Sequence, residues 1–384
     1  MAKELAHFKN FAKLKDTKVA FNDITVIAGK PGTGKSYVMK FMYAIDEAYT
    51  KLFNEINILE NKEKIIKKRI DEFKDIAENI DSLSKKEKEK ILEDIFQVRK
   101  NFLKVQNKKK DISSSVADEK INEALLYTNI LKSIFISLDE ISKNFWVEYL
   151  GIIIKVEEKE LIISDSNMNR QVETSKIFVE TPLILEFKKF MKREEGKTPY
   201  HIESLLNILD TDYSFVDEEQ DKFIKDFTQK SKEIIKGDIE SSGDSFIFNK
   251  EGDKNYDIVN TSSGTKSIGL LQYLVTNKAL KKGSVLYWEE PEVHLHPSWQ
   301  LKMVDLFVEL MNAGVKIVFS THSPYMADYL NAISKKNNYR DRISFNVLDE
   351  KDEVVTNHIL DDDNWDILQK ELMDTFEDIL WQYL

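Results

Sequence analysis

Residues 19–49 constrain the fold of this 384-residue chain more than any other stretch. Val19-Ala20-Phe21-Asn22-Asp23-Ile24-Thr25-Val26-Ile27-Ala28 reads as extended chain ending in a buried strand rich in β-branched residues. Gly29-Lys30-Pro31-Gly32-Thr33-Gly34-Lys35-Ser36 follows at once and satisfies the pattern GxxxxGK[ST] in full. From Tyr37 to Tyr49, Val38, Phe41, Met42 and Ile45 recur at helical spacing. Strand, glycine loop and helix in that order turn a motif match into a phosphate site. Gly29, Gly32 and Gly34 let the backbone turn its N–H groups onto phosphate oxygens at a helix N-terminus. Lys35 is expected to bridge β- and γ-phosphates, and Ser36 to give its hydroxyl oxygen to Mg²⁺. Lys30, Pro31, Thr33 and Tyr37 complete the expected nucleotide-contacting stretch.

Three later segments carry matching chemistry. Ser284-Val285-Leu286-Tyr287-Trp288 is an apolar strand ending in two carboxylates, Glu289 and Glu290. A buried strand delivers a carboxylate to a metal at its C-terminal edge, and a second carboxylate beside it polarises an attacking water. Glu289 is therefore expected on Mg²⁺ and Glu290 as the base. His322 follows the next strand, Val315 to Ser320, at the same edge, where an imidazole hydrogen-bonds a γ-phosphate and reports its loss. Ser262, Ser263 and Gly264 form a turn that opens a helix from Lys266 to Leu280 and make a second anion site. One γ-phosphate does not need two such cradles from the same copy, so a second copy is expected to supply this one. His294 and His296 are read as packing or dimer contacts rather than a metal pair, since no cysteine accompanies them.

The alternation of strands and helices from Ser284 to Ser320 implies an α/β fold with a mixed, mainly parallel sheet. Strand-like patches also occur at Trp146 to Ile154 and Lys176 to Leu185, and a mostly helical acidic stretch runs from Ile202 to Lys236. Residues 51–138 differ in texture: they are Lys/Glu-rich, contain no Gly or Pro, and carry apolar residues at helical intervals. This reads as a helical insertion within a discontinuous domain of 1–50 and 139–384. Two forms stay open for it, a subdomain folded onto the core and a projecting coiled-coil arm. The net charge of -11 is unevenly spread. Glu60 to Lys110 holds 16 Lys/Arg against 11 Asp/Glu, whereas Asp349 to Leu384 holds 2 Lys against 12 Asp/Glu. Only the insertion offers a basic surface for nucleic acid. Within residues 361–384, Trp365, Leu368, Leu372, Phe376, Ile379 and Tyr383 recur at helical spacing opposite acids, an amphipathic last helix. With no cysteine, no apolar signal region and no run approaching about 18 apolar residues, a cytoplasmic protein without a membrane span is expected.

Taken together, the segments resemble the ABC-type P-loop NTPases of the SMC-like and overcoming-lysogenization-defect (OLD) branch. GKPGTGKS resembles their Walker A, SSGTKS their signature, LYWEEPEVHLHP their Walker B and D-loop, and STHSP their switch-histidine loop. The resemblance covers about Leu5 to Ala48 and Phe145 to Leu330. It implies an ATPase that uses ATP and Mg²⁺. Each ATP would be sandwiched in a homodimer between the Walker motifs of one copy and Ser263 and Gly264 of the other. Two departures follow. The family usually has Asp where Glu289 stands, which bears on hydrolysis rate more than on binding. Its glutamine loop is not evident, and Gln171 is the nearest candidate for that metal-side position. OLD-type nucleases carry a TOPRIM nuclease domain, for which the 62 residues after His322 are too few. The expected partner is thus a separate nuclease or toxin effector, as in bacterial anti-phage systems. An SMC-like DNA-tethering or repair ATPase, with the Lys-rich insertion on DNA, is the alternative; a transporter subunit is the weaker one.

Overall fold

The computed structural model describes residues 4–48, 50, 144–157, 160–165, 175–190, 198–211 and 218–373, with short helical pieces between 63 and 135. Most of the 51–138 insertion, Gln171 and residues 374–384 of the expected last helix lie outside the described residues.

Eleven strands form one sheet, in the order β6-β5-β4-β1-β2-β14-β13-β3-β12-β11-β7. Its site-bearing half is parallel throughout: β13 (Ile343–Lys351), β3 (Ile24–Gly29), β12 (Lys316–Thr321), β11 (Val285–Trp288) and β7 (Lys176–Val179). These strands read as almost unbroken apolar runs because helices cover both faces, the usual condition of a parallel sheet. Alternation then sorts the side chains. Leu286, Trp288, Ile317 and Phe319 point to one packed layer, while Val285, Tyr287 and Val318 point to the other.

The other limb is largely antiparallel and built from local hairpins. β1 (Glu4–Phe11) pairs β2 (Leu14–Phe21) and β4 (Phe145–Tyr149), and β4 turns at Leu150-Gly151 into β5 (Ile152–Glu157) and β6 (Glu160–Asp165). The single strand-like patch at 146–154 is therefore two strands. Likewise 19–28 divides at Asn22-Asp23 between β2 and β3, and 176–185 is β7 followed by the short helix α2 (Ile184–Phe187).

Helix α1, residues 35–48, packs Val38, Phe41, Met42 and Ile45 into the layer beneath β1 and β4, as their spacing predicts. The far end of the insertion returns to that layer, where Phe135 meets Phe11 and Phe41 edge-on or tilted at 5.8 and 6.4 Å. On the opposite face lie α3 (Tyr200–Asp210), α4 (Glu218–Ile235), α5 (Ser263–Thr276), α6 (Pro297–Asn312) and α7 (Pro324–Asn337).

Two features are absent from the sequence reading. A three-stranded sheet, β8 (Gly237–Ser242), β9 (Ser245–Lys250) and β10 (Asn255–Asp257), leads into α5. And the start of the acidic C-terminal stretch is not peripheral: β13 and β14 (Val354–Ile359) form a hairpin inserted between β2 and β3, with Val347, Leu348 and Val355 fully buried.

Candidate functional site

Four of the parallel strands end at one sheet edge, and each delivers a polar group there. This is where open α/β sheets place ligands. β3 runs into the glycine loop. A Cβ on Gly29 (φ 144°) would sit 2.4 Å from the Leu348 carbonyl oxygen, so the hairpin strand β13 requires glycine at this turn. Gly32 and Gly34 also have positive φ. Thr33 closes the loop by donating Oγ1–H to the Lys30 carbonyl at 2.9 Å. Lys35 is buried and folds back over the loop, donating from Nζ to the Gly29 and Lys30 carbonyls at 2.9 and 3.0 Å. Burial pushes its ammonium down to about 8, opposed by the carboxylates of Glu290, Glu292, Glu289 and Glu371. Tyr37 stays partly exposed, its ring edge-on to Phe11 at 6.2 Å and tilted on Phe135 at 6.1 Å.

β11 delivers Glu289, whose N–H bonds the Val179 carbonyl of β7 at 2.9 Å. The Ser36 hydroxyl and Lys40 favour its charged form, and the Glu180 carboxylate opposes it. Its Oε1 is buried and has no hydrogen-bond partner. Burial is the main reason that this carboxyl titrates at about 7. An orphaned carboxylate oxygen beside a serine hydroxyl at the mouth of a phosphate-type loop is a donor set that fits a divalent cation. No group of three or more His, Asp or Glu placed to hold a metal ion occurs among the described residues.

The next residue, Glu290, takes a left-handed backbone (φ 46°), and its N–H is held by the Ser320 carbonyl and hydroxyl, each at 3.2 Å. That turn aims its carboxylate at His322, Oε1 to Nε2 3.3 Å. Burial and the Lys35 charge lower the imidazole pKa, while Glu290 opposes them. Glu292, nine-tenths buried, accepts the His322 N–H on Oε1 at 2.6 Å and so ties the loop after β12 to the loop after β11.

Two functional candidates escaped the sequence reading. Glu292 is one. The other is Glu180, directly after β7 and therefore beside Glu289 in the sheet. Lys40 reaches its Oε1 at 3.0 Å and His201 Nε2 its Oε2 at 2.7 Å. The His201 hydrogen bond, with Lys40, holds the carboxyl down at about 2, while burial lowers the His201 pKa. The signal was available: Lys-Ile-Phe-Val-Glu is a short apolar strand ending in an acid, like the one before Glu289.

The Ser262–Gly264 turn has a different setting. Helix α5 begins at Ser263, three residues before the expected Lys266, with Ser262 as N-cap accepting Thr265 N–H at 3.1 Å. Ser263 and Gly264 then occupy the first turn, whose amides lack intrahelical partners. Behind them Lys266 is buried, its Nζ 2.7 Å from Glu186 and 3.1 Å from the Thr261 carbonyl. Among the described residues, no hydrogen bond or ion pair joins this turn to the glycine loop. His296 caps α6 by accepting Ser298 N–H on Nδ1 at 3.3 Å.

Glycine loop, buried lysine and acidic strand end define a P-loop nucleotide site on an α/β scaffold. The family model described as an AAA ATPase domain matches residues 6–327, and the chain belongs to that family. No curated protein matches it in sequence. Similar solved structures include an SMC head bound to the C-terminal winged-helix domain of ScpA, at 13% identity over 93% of this chain and 97% of that one, TM-score 0.46. The SMC head domain from Thermotoga maritima is 10% identical over 94% and 100%, TM-score 0.41. A nucleotide-free ATP-binding cassette from an ABC transporter is 11% identical over 95% and 95%, TM-score 0.38. At these scores none of them bears on what this chain binds or does. No helix among the described residues is long and apolar enough to cross a membrane.

Proposed function

We propose that the chain binds and hydrolyses ATP with Mg²⁺, and that two copies close on two nucleotides. The observation that carries this reading is the convergence of Lys35, Ser36, Glu289, Glu290 and His322 on one sheet edge. Gly29 to Gly34 turn backbone amides to the phosphates, and Lys35 leaves its loop carbonyls to bridge β- and γ-oxygens. Mg²⁺, when bound, neutralises developing phosphate charge; Ser36 and Glu289 hold it, and Gln171 is carried as a further ligand. Glu290 accepts the proton of the attacking water, and His322, which Glu290 faces, hydrogen-bonds the γ-phosphate. Ser262, Ser263 and Gly264 serve the nucleotide of the second copy, a role supported by the exposed Ser262 and half-buried Ser263 at the N-terminus of α5.

The dimer is read as gating a separate effector, a nuclease or toxin, in an anti-phage complex. The sequence resemblance to SMC-like and OLD-type ATPases supports that part. Purification followed by mass spectrometry tests it, since a stoichiometric effector should co-elute. DNA-stimulated hydrolysis by the pure chain, lost on neutralising Lys108, Lys109 and Lys110, would favour DNA tethering instead.

The ATP site has its own test. Glu290→Gln with ATP should elute as a dimer from a sizing column and without ATP as a monomer. Ser263→Arg should abolish that shift while leaving ATP bound. Identical elution with and without ATP, together with wild-type hydrolysis in Ser263→Arg, would remove the two-copy reading.

A further inference from the structure

The glycine loop has one contact that nothing in its phosphate chemistry calls for. Glu371 lies on the C-terminal helical segment 366–373, outside the span matched by the family, yet its side chain reaches the loop. Its Oε1 accepts the Lys30 N–H at 3.3 Å, and its Oε2 lies 3.4 Å from the Lys30 ammonium. Glu371 is 9% exposed, whereas the Lys30 side chain is half in solvent. A nearly buried carboxylate is thus balanced by a well-hydrated, poorly shielding cation.

The segment that delivers it is firmly seated. Trp365 stands edge-on to Phe345 at 4.8 Å and donates its indole N–H to Asp328 at 2.9 Å. Leu360 and Leu368 are buried in the same layer as Phe345. The field of Glu371 extends past Lys30, since it also favours the charged form of Lys35. A triphosphate brings its negative charge to this same lysine. Carboxylate and phosphates therefore compete for Lys35 in a partly buried, weakly screened place.

We infer that Glu371 is an affinity-setting residue of the nucleotide site: from the C-terminal segment it opposes polyphosphate binding at the glycine loop. This rests on the ATP-binding reading above. By linkage, the triphosphate weakens the hold of the segment 366–373 by the same factor as the segment weakens the triphosphate. The C-terminal segment is thereby a reporter of the loop's charge state as well as a brake on it.

Glu371→Gln keeps an acceptor oxygen for the Lys30 N–H and removes only the charge. It should bind ATP, titrated in EDTA at low salt, about 5- to 10-fold more tightly than wild type. Adenosine, which has no phosphates, should bind both equally, and the gain should shrink in high salt. Equal or weaker ATP binding by a folded Glu371→Gln overturns the inference. A second measurement needs no variant: ATP but not adenosine should increase hydrogen exchange at amides 366–373 of the wild-type chain, and unchanged exchange also overturns it. Failure of wild type to bind ATP at all would instead remove the ATP-site reading, and this inference with it.

Discussion

Ser36, in the first turn of α1, favours the charged form of Glu289, at the end of β11, while the Oε1 of that carboxylate is buried without a partner. One residue comes from the glycine loop and the other lies more than 250 positions later in the chain. The sheet order sets them together, since β3 and β11 are separated only by β12. On the reading proposed above, Ser36 and Glu289 stand side by side as the protein's own ligands before any cation arrives.

Stability should reveal that arrangement through pH. Glu289 titrates at about 7 in the fold, above its ordinary 4.5, so the folded chain favours the protonated form. Its stabilising contribution is whole below about 4.5 and is lost as pH rises through 7. In EDTA, Glu289→Gln should therefore melt above wild type at pH 8, by up to about 3 kcal/mol, and the difference should vanish towards pH 4.5. Thermal melts across that range check it; a difference independent of pH would refute it. Mg²⁺ binding by wild type should strengthen over the same window, because proton and cation compete for one carboxylate.

A second pairing braces the same two elements. Tyr287, fully buried on β11, donates its phenol to Asp46 of α1 at 2.5 Å, and Tyr149 of β4 reaches the same oxygen at 3.4 Å. Removing one phenol withdraws a charge-assisted bond from a buried carboxylate. Tyr287→Phe should cost about 1–3 kcal/mol in urea unfolding. It should also weaken Mg²⁺ binding through the Ser36–Glu289 spacing, whereas Val98→Ala, distant in sequence and on a helical piece of the insertion, should leave Mg²⁺ binding alone. Unaltered unfolding in Tyr287→Phe would show that the brace is not energetic.

What the sequence disclosed follows from the range of the forces involved. The strand before Gly29, the helix after it and the acids at Glu289 and Glu290 are local patterns, and local patterns survive in a single sequence. The β13–β14 hairpin did not read as core because its strand partners, β3 and β2, lie more than 300 residues away, and acids such as Asp349 and Glu350 masked Val347 and Leu348. Glu180 was hidden for a related reason. Only its alignment beside β11 distinguishes it from any acid in an acidic chain. Glu371 is legible in three dimensions alone.

The loop after β12 yields a test that separates placement from chemistry. Glu292 accepts the His322 backbone N–H at 2.6 Å and lies against no phosphate-loop residue in its hydrogen bonding. Glu292→Ala leaves that amide unpaired and frees His322 to drift. A loss of about 10-fold or more in kcat with a smaller change in KM is expected, since misplacement by an ångström is costly for positioned groups. Glu292→Gln, which retains an acceptor oxygen, should recover most of the rate. Equal damage by both variants would mean that the charge of Glu292, rather than its hydrogen bond, is what matters.

Gly269 sets two general tendencies against each other. It lies inside α5, where alanine is intrinsically favoured over glycine by about 1 kcal/mol. A Cβ there would stand 2.0 Å from Cδ1 of Ile239 on β8, which packs down onto the helix through the missing side chain. Relieving that overlap needs an off-rotamer isoleucine or a shift of β8, at a cost of about 1–3 kcal/mol. Overpacking therefore exceeds the propensity gain, and Gly269→Ala should destabilise the chain. Ile239→Ala on its own should also destabilise it, by opening a cavity. In the double variant the new methyl fills part of the space that Cδ1 leaves, so its loss should be smaller than the sum of the two single losses. Additive losses in denaturant unfolding would mean that the close approach of β8 to α5 does not decide the cost.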